Sequence, residues 1–275
     1  MVVSARFVAM TKPAISIQLW TVRDELEQDL DGTLARLSGI GFTRVEAFGF
    51  VDRADALAEA FARHGLSAPT GHASLASEVE NPFAELAAPS NDQVFAAAAT
   101  LGMTTVFDPF VAPDRWKTVD EITTTATLLN AAALAGAKHG IRVGYHNHNQ
   151  ELLNVIDGRF ALEVFADLLA PEVVLEADLY WAAAGGADVA ALVTRLGSRV
   201  AALHVKDGTL VPTPTLGSVP TDQVPAGTGA VDLAGALSAA TSAEFAIVEF
   251  DAYPGDIWDA VATGFAFLES HGADR

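Results

Sequence analysis

Three features of the sequence point to an α/β chain closed into a (β/α)8 barrel. Short β-rich runs alternate with Ala- and Leu-rich helical stretches, and glycines stand where several helices give way to the next strand. The alternation repeats eight times in roughly 250 residues, which is the size of such a barrel. A doubly wound open sheet also alternates strands with helices, but no glycine fingerprint follows the first strand here.

The strand candidates, in order, are residues 14–19 (AISIQL), 43–48 (TRVEAF), 66–71 (LSAPTG), 103–108 (MTTVFD), 141–146 (IRVGYH), 173–178 (VVLEAD), 200–205 (VAALHV) and 245–250 (FAIVEF). Between the first two, Leu26, Leu30, Leu34 and Leu37 recur at helical spacing, so one helix is expected over residues 25–37. Further helices are expected over 54–63, 94–101, 119–138, 187–196 and 233–240. Gly41, Gly65, Gly102 and Gly140 mark helix ends, since glycine enters the left-handed region without steric cost. The longest loop, 208–229, is rich in Pro and Gly and reads as an active-site flap. No linker divides the chain, so a single domain is expected over 14–275. Residues 1–13 are expected as a flexible N-terminal tail, with Met10 an alternative start.

Composition narrows the function classes. The 35 acidic against 16 basic residues give a formal charge of −19, and a surface of that sign repels nucleic-acid phosphates and anionic membranes. With no Cys, any metal must be held by His, Asp or Glu. The first residues lack a signal-peptide core and cleavage site, and no apolar run reaches the ~18 residues of a membrane span, so a cytoplasmic protein is expected. Assembly as a homo-oligomer is compatible with this reading.

In a barrel of this kind the chemistry gathers at the carboxyl ends of the strands. The last inward-facing positions are Gln18, Glu46, Gly71–His72, Asp108, His146 with His148, Asp178, His204 and Glu249. Nearly all can ligate a metal or move a proton. His146, Asp178, His204 and Glu249 stand on four successive strands, so they would converge on one point. Two imidazoles and two carboxylates suit one divalent ion, with Mn²⁺ the first expectation and Mg²⁺, Co²⁺ or Zn²⁺ the alternatives. Each residue also has a bland reading: Asp178 capping a turn, His204 as a satisfied core histidine, Glu249 paired with a barrel cation. Four such accidents on four successive strand ends are less economical than one site. His146 and His148 both face inward if the strand persists, one as a ligand and the other as a group that meets the substrate or supports the ligands from behind. Glu176 lies deeper and is expected in a buried pair with an Arg or Lys. Tyr180, Trp181 and Trp20 offer aromatic walls suited to sugar C–H faces, although core packing is the commoner use of such rings.

The segments ISIQLWTVRDEL, GYHNHNQE, ADLYWAAAGG, ALHVKD and IVEFD, in this order over about residues 14–270, resemble the sugar phosphate isomerase/epimerase family of xylose-isomerase-like TIM barrels, in its Tyr-His-Asn-His branch. The resemblance implies Asp178, His204 and Glu249 as metal ligands and puts the fourth ligand at His146. In the ketose epimerases of that superfamily a glutamate stands at this fourth position, and two glutamates relay the proton. The histidine is a departure from that pattern, with Glu151 as a candidate substitute base.

The expected reaction is therefore metal-assisted proton abstraction next to a chelated carbonyl and hydroxyl pair of a small sugar or keto-sugar, giving an enediolate. Glu249 or His148 would remove the proton. His72, Glu151 and Lys206 would return it or contact hydroxyls, and Gln18, Glu46, Tyr180 and Trp181 would bind substrate. Return of the proton elsewhere is isomerisation or epimerisation. Expulsion of a β-substituent makes the same site a lyase or dehydratase, and a noncatalytic sugar-binding barrel is the reading from a different class. The acidic loops near Lys206, with Asp207, Asp222, Asp251 and Asp256, favour an unphosphorylated substrate.

Overall fold

Apolar runs without a polar face need cover on both sides, and a parallel sheet wrapped by its own crossover helices supplies it. In the computed structural model, which describes residues 12–76, 89–211 and 219–275, the eight runs pair in this way. The strands are β1 (Ala14–Ile17), β2 (Arg44–Phe48), β3 (Ser67–His72), β4 (Thr105–Asp108), β5 (Arg142–His146), β6 (Val174–Asp178), β7 (Val200–Val205) and β8 (Phe245–Val248). All pairings among them are parallel, in the order β1-β8-β7-β6-β5-β4-β3-β2. A parallel bridge between Gln18 and Glu46 joins the two ends and nearly closes the barrel.

Eleven α-helices lie among the described residues: α1 (Arg23–Gln28), α2 (Leu30–Ile40), α3 (Ala54–Arg63), α4 (Asn91–Thr100), α5 (Val119–Ala137), α6 (Gln150–Leu153), α7 (Ala161–Leu168), α8 (Leu179–Ala184), α9 (Val189–Leu196), α10 (Leu233–Ala239) and α11 (Ile257–Ser270). The helix expected over 25–37 is two helices. Asp29 takes an extended conformation at the break, and its side chain accepts from Gly32 N, so a helix-capping residue overrides the leucine period. The other expected helices stand close to their predicted bounds, and α4 opens on a capping box between Ser90 and Gln93. Gly41, Gly65, Gly102 and Gly140 all carry positive φ, from +68° to +125°, at the helix ends where they were expected.

The core has two parts. The larger fills the shell between strands and helices, and a smaller one, Phe107, Val174, Ala201, Ala202 and Ile247, is joined by Phe245. Arg142 braces its end of the barrel, with Nη1 2.7 Å from Glu244 Oε1 and its guanidinium also donating to Thr105. The barrel interior thus has an apolar plug at the amino ends of the strands and a polar layer towards the carboxyl ends. The first 11 residues of the expected tail and residues 212–218 of the expected flap lie outside the described residues. The base of that loop is an antiparallel ribbon pairing Asp207–Gly208 with Gln223–Val224.

Candidate metal centre

Alternation along each strand decides which side chains reach the barrel axis. His146 ends β5, Asp178 ends β6, His204 is the penultimate residue of β7, and Glu249 follows β8 directly. One ligating atom from each lies within 4.8 Å of the others, and all four residues are buried. Asp178 is doubly engaged: one oxygen caps α8 by accepting from Trp181 N at 2.8 Å, while Oδ2 turns inward, 3.7 Å from His146 Nε2 and 4.0 Å from His204 Nδ1. Glu249 Oε2 lies 2.5 Å from His204 Nδ1.

Beneath this set lies a second polar layer. Glu46 Oε1 accepts from Gln18 Nε2 at 2.9 Å and lies 2.7 Å from His204 Nε2 and 3.1 Å from His72 Nε2. Glu176 Oε2 lies 2.6 Å from His72 Nε2, 3.0 Å from His146 Nδ1 and 3.2 Å from His204 Nε2. Glu176 was expected to pair with an Arg or Lys. It pairs instead with three histidines, because the strands flanking it and β3 across the barrel all present imidazoles at its depth. The His72, His146, Glu176 and His204 atoms also lie within 4.8 Å of one another. Lys206 completes the outer set: its buried Nζ lies 2.7 Å from Glu249 Oε2 and 2.9 Å from both Asp178 Oδ2 and Asp251 Oδ2. Gln223 holds Asp251 in place by donating to the same oxygen at 2.7 Å.

The protonation pattern follows from these neighbours. Burial lowers His146 well below the usual imidazole range, and the cationic His204, His72 and Lys206 push it the same way, so its nitrogens are free of excess charge. Burial opposes the charged forms of His72 and His204, but facing carboxylates prevail. Glu46 and Glu176 raise His72 to about 10, and Glu176 and Glu249 raise His204. Burial raises Asp178 to about 6 despite Lys206, whereas Lys206 and His204 outweigh burial at Glu249 and hold its carboxyl low.

The remaining candidates are distributed unevenly. His148 is half-buried, with its ring 5.1 Å from that of His146, 5.5 Å from Trp181 and 5.9 Å from Phe110. Its Nδ1 has no hydrogen-bond partner among the described residues, and burial together with Lys206 lowers it to about 4. Glu151 lies off the cluster: it accepts from Tyr145 Oη at 2.5 Å, His148 N at 3.0 Å and Gln150 Nε2 at 3.3 Å. Tyr180 is buried, and its hydroxyl donates to Asp222. Trp181 is buried against His148, while Trp20 is 42% exposed and packs edge-on against Phe48. Asp108, also a strand-end candidate, is drawn aside to accept from Leu75 N, Ala76 N and Phe110 N, where it shapes the loops after β3 and β4. Sequence reasoning passed over Asn147, whose side chain accepts from Asp178 N at 3.1 Å and donates to Asp178 O at 3.3 Å, tying the end of β5 to that of β6. Its place inside the His-Asn-His run was the available signal.

The donor set fits a divalent ion of intermediate hardness. Two imidazole nitrogens and two carboxylate oxygens face one another on four adjacent strands. Polar groups that converge at the carboxyl ends of barrel strands mark a candidate site rather than a packed core. The chain belongs to the xylose isomerase-like TIM barrel family, whose model matches residues 34–271. None of the curated proteins matches it by sequence. Among solved structures it is similar to a sugar phosphate isomerase/epimerase from Parabacteroides distasonis, with 20% identity, 96% of each chain covered and a TM-score of 0.77. It is also similar to a probable 3-DHS dehydratase, AsbF, from Bacillus anthracis, with 14% identity, 93% of this chain and 98% of that one covered and a TM-score of 0.70. A third likeness is to the IolI protein with a bound zinc atom, at 19% identity, with 95% of this chain and 98% of that one covered and a TM-score of 0.68. At these identities the likeness is one of fold. Among the described residues no helix is long and apolar enough to cross a membrane.

Proposed function

We propose that the protein is a divalent-metal-dependent isomerase or epimerase of a small, unphosphorylated sugar or keto-sugar. The observation that carries this reading is the convergence of His146, Asp178, His204 and Glu249 within 4.8 Å, from four adjacent strands, at the catalytic end of the barrel. These four residues would hold the ion, with Mn²⁺ the first expectation. When bound, the ion would chelate a carbonyl and its neighbouring hydroxyl and acidify the adjacent C–H as a Lewis acid.

The chain's own groups sort by availability. Glu249 is engaged by His204 and Lys206 and held strongly acidic, which makes it a better ligand than base. His148 is neutral near pH 7, has an unpartnered Nδ1 and stands beside His146, which supports it as the group that would take the carbon-bound proton. Lys206 pairs with three carboxylates at the site and is a cation that could support a developing oxyanion. Glu151 is turned away and supports His148 through the backbone rather than replacing it.

The preference for an uncharged substrate rests on the loops after β7 and β8. Asp207 there accepts from Gly208 N, Gly227 N, Gly229 N and Val231 N, and Asp256 caps α11 by accepting from Trp258 N and Asp259 N. The backbone N–H groups that cradle a phosphate on this architecture are thus already satisfied by carboxylates. A second reading is elimination on a 3-keto-sugar or keto-glycoside, or dehydration, favoured by one observation: a histidine fills the position at which a second carboxylate would relay the proton.

Mass spectrometry in ²H₂O across free ketoses, aldoses and keto-glycosides separates the readings. Solvent deuterium in a product of conserved heavy-atom composition is expected. Metal-dependent aglycone or water loss, without mass-conserving turnover of any free sugar, would replace the isomerase by the lyase. No deuterium uptake with any substrate would discard both.

A further inference from the structure

The two histidines of the outer set are gripped from behind. His146 turns Nε2 towards Asp178 and Nδ1 towards Glu176, 3.0 Å away, whereas His204 turns Nδ1 towards Glu249 and Nε2 towards Glu46, 2.7 Å away. Each imidazole therefore spends one nitrogen on the outer cluster and the other on a fully buried carboxylate. Those two carboxylates are themselves fixed: His72 Nε2 sits between them, 3.1 Å from Glu46 and 2.6 Å from Glu176, and Gln18 donates to Glu46. Two buried carboxylates this close would repel each other strongly without an intervening donor. A histidine that ligates a metal depends on the partner of its remote N–H for its orientation and tautomer.

We infer that Glu46 and Glu176 are positioning residues, tied together by His72, which orient the two imidazoles in opposite senses so that His146 presents Nε2 and His204 presents Nδ1 to the ion. The inference rests on the metal-site reading of these histidines. It assigns the deeper layer a role distinct from that of a second ion site. An ion among His72, His146, Glu176 and His204 would take the very nitrogens that the carboxylates hold, and would leave the outer set without fixed rings.

The test loads the full-length chain with Zn²⁺ and reads ¹⁵N shifts of labelled imidazoles. His146 metallated at Nε2 with a protonated Nδ1, and His204 metallated at Nδ1 with a protonated Nε2, is the expected pair of opposite tautomers. The same nitrogen metallated in both rings would overturn the inference. Competition titration with Zn²⁺ then compares wild type with Glu176→Gln and Glu46→Gln, each confirmed folded by circular dichroism. Affinity roughly 10–100-fold weaker than wild type is expected in each. Unchanged affinity in both variants, or two ions per wild-type chain, would refute the positioning role while leaving the outer site intact. A wild-type chain that binds no Zn²⁺ would instead remove the metal-site reading and the inference with it.

Discussion

At the scale of single residues, the pair His146 and His148 carries the sharpest consequence. Both come from one strand end, yet His146 lies 3.7 Å from Asp178 Oδ2, whereas the Nδ1 of His148 has no hydrogen-bond partner among the described residues. His146→Ala should therefore weaken metal binding by roughly 10–100-fold, while His148→Ala should keep the ion and lose turnover. Equilibrium dialysis alongside initial rates checks both, and metal loss confined to the His148 variant would exchange the two roles. Glu151 offers a test by pH. Burial raises its carboxyl to about 7 in spite of three donors, so the native state holds this proton more tightly than the unfolded chain does. Its contribution favours folding fully below the unfolded carboxylate range near 4.5 and is lost as pH rises through about 7. Above that pH the ionised group costs on the order of 3 kcal/mol relative to a neutral one. Urea unfolding of Glu151→Gln should accordingly lose the part of the decline in stability between pH 4.5 and 7 that wild type shows.

Among the elements, β5 shows how the site constrains its strand. Gly144 faces the barrel axis two residues below His146, and the ring of Phe107 from β4 occupies the space a side chain would need. A Cβ at 144 would also lie 3.0 Å from Val174 O, which is rigid backbone. Overpacking of this kind typically costs ~1–3 kcal/mol, so Gly144→Ala should lower the urea midpoint with an unchanged m-value. Because Phe107 belongs to the plug under the polar layer, the same variant should also weaken metal binding if the ring moves towards His72, 6.5 Å from it. The α1–α2 break at Asp29 shows the opposite balance, in which one capping side chain divides a run that four leucines at helical spacing read as continuous.

At the scale of the whole molecule, the proposed preference for an uncharged substrate would draw on both the net charge of −19 and the capped N–H groups near β7 and β8. Steady-state comparison of a sugar with its phosphate ester should show the lower kcat/KM for the ester at low salt, with the gap narrowing as salt screens the field. A phosphate ester that is the better substrate at every salt concentration would contradict the reading of these loops.

The barrel and most of the groups at the carboxyl ends of its strands were legible in the chain because both depend on local order. A strand's period of two decides which residues face inward, and a glycine's φ decides where a helix stops, so Asp178, His204 and Glu249 could be placed at their strand ends residue by residue. What local order does not contain is who stands opposite. The His204–Glu46 contact spans 158 residues, and the His72–Glu176 contact spans 104. No pattern around Glu176 distinguishes an arginine partner from three histidines, and nothing around Asp108 says that the loop after β3 will turn its N–H groups towards it. Barrel closure brings these groups to one depth, where burial makes each unpaired charge too costly to leave. Strand period and helix ends are enough to give the fold and most of the groups sent to the centre; which candidates are drawn aside, as Asp108 is, and how the rest pair depends on barrel closure, which is not a property of any one strand.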